Sequence, residues 1–235
     1  MGIREVEVAG ETLTIHELDD VYDPATGRVL TGSWVWHSSL FLSEWMANHG
    51  LLDFDLHGRT VVELGAGAGL PGLTAALLGA KRVILTDVAQ LLPGLRKNVE
   101  VNSLEDRVEV RELVWGVDES QASDDSELGN VDLVLMSDVF FGASETAALA
   151  KTLKRLCGKE TMIWSASEVR EWTGDSLEEL RREGFGVVEL TSRLIPPSAS
   201  SMATHEDTPS FAVFLLMPPG RDSGVPTDST TEAET

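Results

Sequence analysis

The sequence is short of several things, and each shortage excludes something. It holds a single cysteine, Cys157, in 235 residues, so no disulfide can close within the chain and a reducing compartment is expected. It has no run of about 18 apolar residues, the length a helix needs to cross a bilayer, so no membrane span and no membrane partner are expected. The opening MGIREVEVAGETL lacks the apolar core of a secretory signal, and Val6 stands where a myristoylation signal needs Ser or Thr. Basic residues are scarce: 18 Lys and Arg against 39 Asp and Glu give a formal net charge of −21. A chain of this charge repels phosphate backbones, so no nucleic-acid partner is expected. Its acidity suits a solvated surface first and a basic partner second. The histidines His16, His37, His49, His57 and His205 are scattered without ligand spacing, and no metal site is expected. Ser165-Ala166-Ser167 lacks the glycine-flanked turn of a serine nucleophile.

What is present is an ordinary globular composition, 42% apolar, in a length that suits one domain. Residues 4–17 alternate weakly around Gly10 and are expected to form a hairpin. Residues 37–49 carry Leu40, Phe41, Trp45 and Met46 at helical spacing, with Gly50 as a stop. From residue 60 the pattern becomes strand and helix in turn. Strands are expected at 60–64, 82–87, 107–113, 131–138, 161–167, 186–194 and 211–217. Helices are expected at 70–79, 90–102, 144–157 and 175–184, Ser144 capping the third and an Asp175–Glu178 capping box opening the last. The expected fold class is α/β: a single Rossmann-like, seven-stranded, mostly parallel sheet with helices on both faces and a C-terminal antiparallel strand pair. The expected organisation is a hairpin and lead-in over 1–35, the α/β domain over 36–217 and a disordered polar tail over 218–235. An acidic loop is expected at 118–130, and Cys157, at a helix end, is expected to be structural.

The strongest chemical signal is VVELGAGAGLPGL. A strand ends at Glu63-Leu64, and Gly65, Gly67 and Gly69 alternate before a helix. Such a unit at the carboxyl edge of a parallel sheet is a nucleotide or cofactor site. The spacing is not that of the dinucleotide fingerprint, and Glu63 beside the loop suits a cationic ligand better than a pyrophosphate. S-adenosylmethionine carries an ammonium and a sulfonium and no phosphate. Asp87 closes the next strand 20 residues after Gly67, the offset at which an acid bonds ribose hydroxyls. A nicotinamide-dependent dehydrogenase shares such a loop but is disfavoured by the spacing and by Glu63.

Trp36, the loop from Glu63 to Gly69, Asp87, Leu113-Val114-Trp115-Gly116 and Ser137-Asp138-Val139-Phe140-Phe141 together resemble the seven-β-strand methyltransferases, and within them the family-16 group of protein-lysine methyltransferases, over residues 30–216. The resemblance implies S-adenosylmethionine as cofactor and a lysine of a protein partner, a chaperone or a translation factor, as acceptor. It implies that Trp36 lines the cofactor pocket and that Gly65, Ala66 and Gly67 hold the amino-acid end of the cofactor by their backbones. Asp87 would bind the ribose, Trp115 would pack on the adenine, and Ser137 would contact the cofactor through its backbone. Asp138 and Phe141 match the family's Asp-x-x-Tyr/Phe motif beside the acceptor nitrogen, with Phe in place of the usual Tyr. Asp138 would orient the amine by a hydrogen bond and Phe141 hold it by a cation–π contact. Other readings keep the cofactor and change the acceptor to another protein side chain or a small amine, or make the chain a weakly catalytic, cofactor-binding interaction protein. Glu168 and Arg170, after the fifth strand at the edge that would carry the substrate, are expected to form a surface ion pair first and to contact a substrate second. A monomer in the cytoplasm, and also in the nucleus, is expected.

Overall fold

The computed structural model describes residues 2–18, 21–117, 128–194 and 209–220. The acidic loop as far as residue 127 and the tail from residue 221 lie outside them. The chain opens with an antiparallel hairpin, β1 (Gly2–Val8) and β2 (Glu11–Glu17). Its turn holds Ala9 and Gly10 at φ 53° and 84°, the left-handed pair that two-residue hairpin loops favour. After a loop bridged by Tyr22 and Val29 and a 3₁₀ turn at Thr31–Ser33, α1 spans His37–Trp45. Gly50 does not stop this helix as expected. The helix widens into a π turn, Met46–Gly50, and closes in a short α2, Leu51–Asp53. The wide turn buries Met46 and seats Gly50 against the rings of Trp45 and Trp164. Trp45 and Phe54 in turn meet Trp164 edge-on at 5.0 and 5.7 Å, the preferred aromatic geometry.

The main sheet comprises β3 (Thr60–Leu64), β4 (Arg82–Asp87), β5 (Val108–Glu112), β6 (Leu133–Ser137), β7 (Met162–Glu168), β8 (Gly186–Leu194) and β9 (Ser210–Met217), in the order β5-β4-β3-β6-β7-β9-β8. β5 to β7 pair in parallel, and β9 runs antiparallel to both β7 and β8. The expected seven-stranded, mostly parallel sheet is therefore present. The helices are α3 (Leu70–Leu77), α4 (Leu92–Val101), α5 (Ala143–Leu156) and α6 (Glu171–Arg182). Three helix starts differ from expectation. α4 begins at Leu92, two residues after the expected start. α5 begins after Gly142, whose carbonyl accepts from Thr146 Oγ1 at 2.6 Å. α6 begins one turn ahead of Asp175, because the Thr173 hydroxyl accepts from Arg170 N at 3.0 Å and donates to Glu168 O at 2.9 Å. A capping hydroxyl within the first turn satisfies amides the helix itself cannot.

Side chains alternate across a strand, and the two faces of the sheet fill separate cores. Val61, Val83, Leu85, Leu133, Leu135 and Trp164 are buried with α1, α3 and α4. Val62, Leu64, Ile84, Val134, Met136 and Ile163 are buried with α5 and α6. Each large apolar side chain taken fully out of water contributes about 1.5–3 kcal/mol. Cys157, at the end of α5, is half-buried, and burial pushes its thiol up to about 12, away from the range in which a thiol reacts readily. The strand order reverses between β3 and β6. There the chain stops adding strands on one side and starts on the other, and the carboxyl ends of the two strands part to leave a crevice.

Candidate active site

The crevice holds a cavity of about 360 Å³. Three stretches wall it: residues 29–36 ahead of α1, the loop 65–70 after β3, and residues 137–141 after β6, together with Asp87, Val88, Leu91 and Arg170.

The loop after β3 is held in a left-handed backbone, with Gly65, Gly67 and Gly69 at φ 62°, 57° and 84°. Gly67 has a second reason to be glycine. A Cβ there would stand 2.2 Å from the carbonyl oxygen of Gly32, so the two walls touch backbone to backbone. Ala66 N donates to Thr86 O at 3.0 Å, tying the loop to β4. Asp87, at the end of β4, accepts from Gly67 N at 2.8 Å and from Val88 N at 2.7 Å, one bond to each oxygen. A carboxylate oxygen accepts more than one hydrogen bond, so both retain capacity toward the cavity. Burial raises the Asp87 carboxyl above the usual range, against the pull of these two amides.

Trp36 lines the cavity, its Nε1 donating to Thr31 O at 3.0 Å and its ring 6.3 Å from that of Trp34. Ser137 and Asp138 line the opposite wall. Asp138 takes φ 54° without being glycine, and its N donates to Ala166 O at 2.8 Å. Its carboxylate accepts from Arg170 at 3.1 and 3.4 Å and from Ser167 Oγ at 3.3 Å. Arg170 also pairs with Glu168 and lies over the Trp172 ring at 5.7 Å. Arg170 is thus more than the surface ion pair expected: it lines the cavity and engages Asp138. Phe141 is 63% exposed at the cavity rim, one ring face stacked on Trp115 at 6.3 Å and 19°.

Gly65, Ala66, Gly67, Asp87, Trp36, Ser137, Asp138 and Phe141 are brought together around one space. Trp115 and Glu63 are not among its lining residues. Trp115 lies behind the wall, close enough to Gly65 that a Cβ would meet its ring at 3.0 Å. Glu63 shares the strand face of Val61, so alternation turns it under α3 instead of into the crevice. It is fully buried. Its Oε2 accepts from Gly72 N at 2.8 Å, one of the first-turn amides that lack a partner within the helix, while Oε1 accepts no hydrogen bond from the described residues. The expectation that Glu63 meets a cationic ligand directly gives way to a role beneath the loop, fixing the start of α3. Sequence reading also passed over residues 29–34 and Leu91 as wall.

Burial pushes the Glu63 carboxyl well above the carboxylate range, with the Asp87 charge adding to the rise. Such an acid keeps its proton in the folded chain where the unfolded chain has released it. Stability therefore falls as pH rises from about 4.3 toward the folded value. Glu63→Gln has no proton to lose and still accepts from Gly72. We expect it to melt above the wild type near neutral pH, by about 2–4 °C per kcal/mol, with an advantage that shrinks toward pH of about 4.5. Thermal melts across that range check this; a difference independent of pH would count against it.

The cavity fits S-adenosylmethionine better than a dinucleotide. The lining offers the Asp87 carboxylate beside the glycine loop, and Arg170, the one cation among the described lining residues, is paired with Asp138. Gly67 N, an amide a phosphate would need, is already given to Asp87.

A family model described as lysine methyltransferase matches residues 23–180. The EEF1A lysine methyltransferase 3 of Xenopus tropicalis is 36% identical over 60% of this chain and 59% of its own length. The mouse protein-lysine methyltransferase METTL21E is 32% identical over 78% of this chain and 72% of its own. The mouse histone-arginine methyltransferase METTL23 is 33% identical over 74% and 67%. Among solved structures, a putative RNA methyltransferase from Pyrococcus horikoshii shares the fold, with a TM-score of 0.54 at 19% identity over 78% of this chain and 85% of that one.

Proposed function

The chain belongs to the lysine methyltransferase family, and from that premise we propose that it transfers a methyl group from S-adenosylmethionine to the side-chain nitrogen of a lysine in a protein partner. The observation that carries this reading is that one cavity is lined both by Gly65–Gly69 and Asp87 and by Asp138, Phe141 and Arg170. The cofactor supplies an electrophilic methyl on a sulfonium. The chain's part is to bring a neutral amine in line with it, and such approximation supplies much of the acceleration. Asp138 accepts an N–H of the amine and so aims the nitrogen lone pair. Its backbone, pinned to Ala166, and its bonds from Arg170 and Ser167 hold the carboxylate still. Phe141 offers the ring face not covered by Trp115, a contact worth about 0.5–1 kcal/mol to a cation at an exposed site.

A protein acceptor is favoured over a small amine by the rim. Trp34, Trp36, Phe141, Val169 and Trp172 are each more than a third exposed around or beside the mouth, and apolar surface gathered in one place marks an interaction site. The frog relative's named substrate supports a translation factor as partner over a chaperone. We read the chain as a monomer of the cytoplasm, and also of the nucleus, which suits its single cysteine. A second acceptor, arginine, is favoured by the likeness to METTL23. The test is labelled methyl transfer from S-adenosylmethionine into purified EEF1A and into total cell protein, with mass spectrometry of the labelled bands. We expect label on protein lysine. Label on arginine would move the reading to the second acceptor, and label confined to small molecules would overturn both.

A further inference from the structure

The hairpin β1–β2 lines no part of the cavity, yet it braces both of its walls. On one side it holds the segment ahead of α1. Ser33 Oγ donates to Leu18 O at 2.7 Å, Val35 N donates to Glu17 Oε1 at 2.8 Å, and Arg4 donates to Val35 O at 3.3 Å. On the other side it meets α4 through two asparagines one helical turn apart. Asn98 accepts from His16 N at 2.8 Å and donates to His16 O at 3.3 Å. Asn102 accepts from Thr14 N and donates to Thr14 O, both at 2.8 Å. One helical turn advances about 5.4 Å and two strand residues about 6.6 Å, near enough for both pairs to form. The side-chain amides stand where a neighbouring strand would be.

Asn98 does one thing Asn102 does not. It is 1% exposed, and its Nδ2 also donates to Ala68 O at 2.9 Å, inside the glycine loop. The carbonyl it holds lies in a stretch whose left-handed glycines give the backbone little preference of its own. The far wall of that stretch is Gly32, next to Ser33, which the hairpin also holds.

We infer that Asn98 is a positioning residue for the cofactor site, and that through it the N-terminal hairpin sets the shape of the glycine loop. The inference rests on the cofactor reading above. Coupling of this kind is reciprocal: whatever the hairpin does for the ligand, the ligand does for the hairpin.

Calorimetry with S-adenosylhomocysteine tests this on the full chain with Asn98→Ala and Asn102→Ala. Both variants lose rungs of the same ladder and both are expected to melt lower. Only Asn98→Ala is expected to weaken the ligand, by about tenfold, with Asn102→Ala within about twofold of wild type. Hydrogen exchange of the wild type needs no variant. Saturating S-adenosylhomocysteine is expected to slow exchange across residues 11–17, none of which lines the cavity, and this carries the test should Asn98→Ala fail to fold. Equal affinities in the two variants, or protection confined to the lining residues, would overturn the inference while leaving the cofactor reading intact. A wild type that does not bind S-adenosylhomocysteine would overturn the cofactor reading and the inference with it.

Discussion

Gly67→Ala is expected to lose S-adenosylhomocysteine binding by about 100-fold or more, roughly 2.8 kcal/mol at 1.4 kcal/mol per tenfold, while remaining folded. Two costs fall on one atom. An L residue in the left-handed region is disfavoured by about 1–2 kcal/mol. The new Cβ would also stand 2.2 Å from Gly32 O, inside any nonbonded contact. The strain resolves only by moving the 31–33 turn away from the loop or by twisting the loop, and either opens the cavity. The second route also breaks the bond from Gly67 N to Asp87. Gly58→Ala is the control, since Gly58 has φ 79° and nothing within 4 Å of a new Cβ. It should lower the melting temperature and leave the affinity alone. Calorimetry on both decides the matter, and a Gly67→Ala affinity within about threefold of wild type would mean the two walls part when ligand binds.

Asp138→Asn is expected to cut methyl transfer by about 100-fold, the scale on which catalysis responds to a small misplacement of a reacting group, with affinity for S-adenosylhomocysteine nearly unchanged. Asparagine tolerates the left-handed backbone much as aspartate does, so the φ of 54° survives and the charge is what is removed. Arg170 keeps Glu168 as a partner but no longer holds a carboxylate toward the acceptor. Asp138→Ala adds backbone strain to the same chemical loss and should also melt lower. The comparison therefore separates what the charge does from what the geometry does. Single-turnover methylation of the labelled substrate is the measurement. A wild-type rate in Asp138→Asn would remove Asp138 from the transfer step.

The two differ in what they leave standing: the first is expected to silence the ligand and the second to spare it. That contrast follows the sheet. Gly67 and Asp87 come from β3 and β4, on one side of the strand reversal, whereas Asp138 and Arg170 come from β6 and β7, on the other.

Much of this was readable from local pattern. The short apolar runs TVVEL and RVILTD and the glycines between them placed the loop and Asp87, because strand, turn and helix each leave a signature within a few residues. Asp138 was readable only through the family resemblance of Ser137–Phe141, since an acid at the end of a strand does not by itself announce a role. Glu63 shows where local pattern misleads. Its place beside the loop suggested contact with ligand, yet the two-residue period that makes TVVEL a strand also puts Glu63 on the α3 face, and it is buried there. Trp115 and Phe141 lie 26 positions apart and meet only because β5 and β6 end on the same edge, so nothing in either neighbourhood announces the stack. Asn98 lies 82 positions from His16, and an asparagine within a helix reads as an ordinary polar face. Arg170 read as a surface charge because its partner Asp138 lies 32 positions away. Relations across the fold, not elements along it, are what the linear reading passed over.

The reversal of strand order has a consequence for descent as well as for chemistry. Because the two halves of the cavity are delivered by separate runs of chain, substitutions around Phe141, Arg170 and Trp172 are expected to alter the acceptor half and leave in place the half that grips the donor. A change of acceptor therefore needs no change in the donor half.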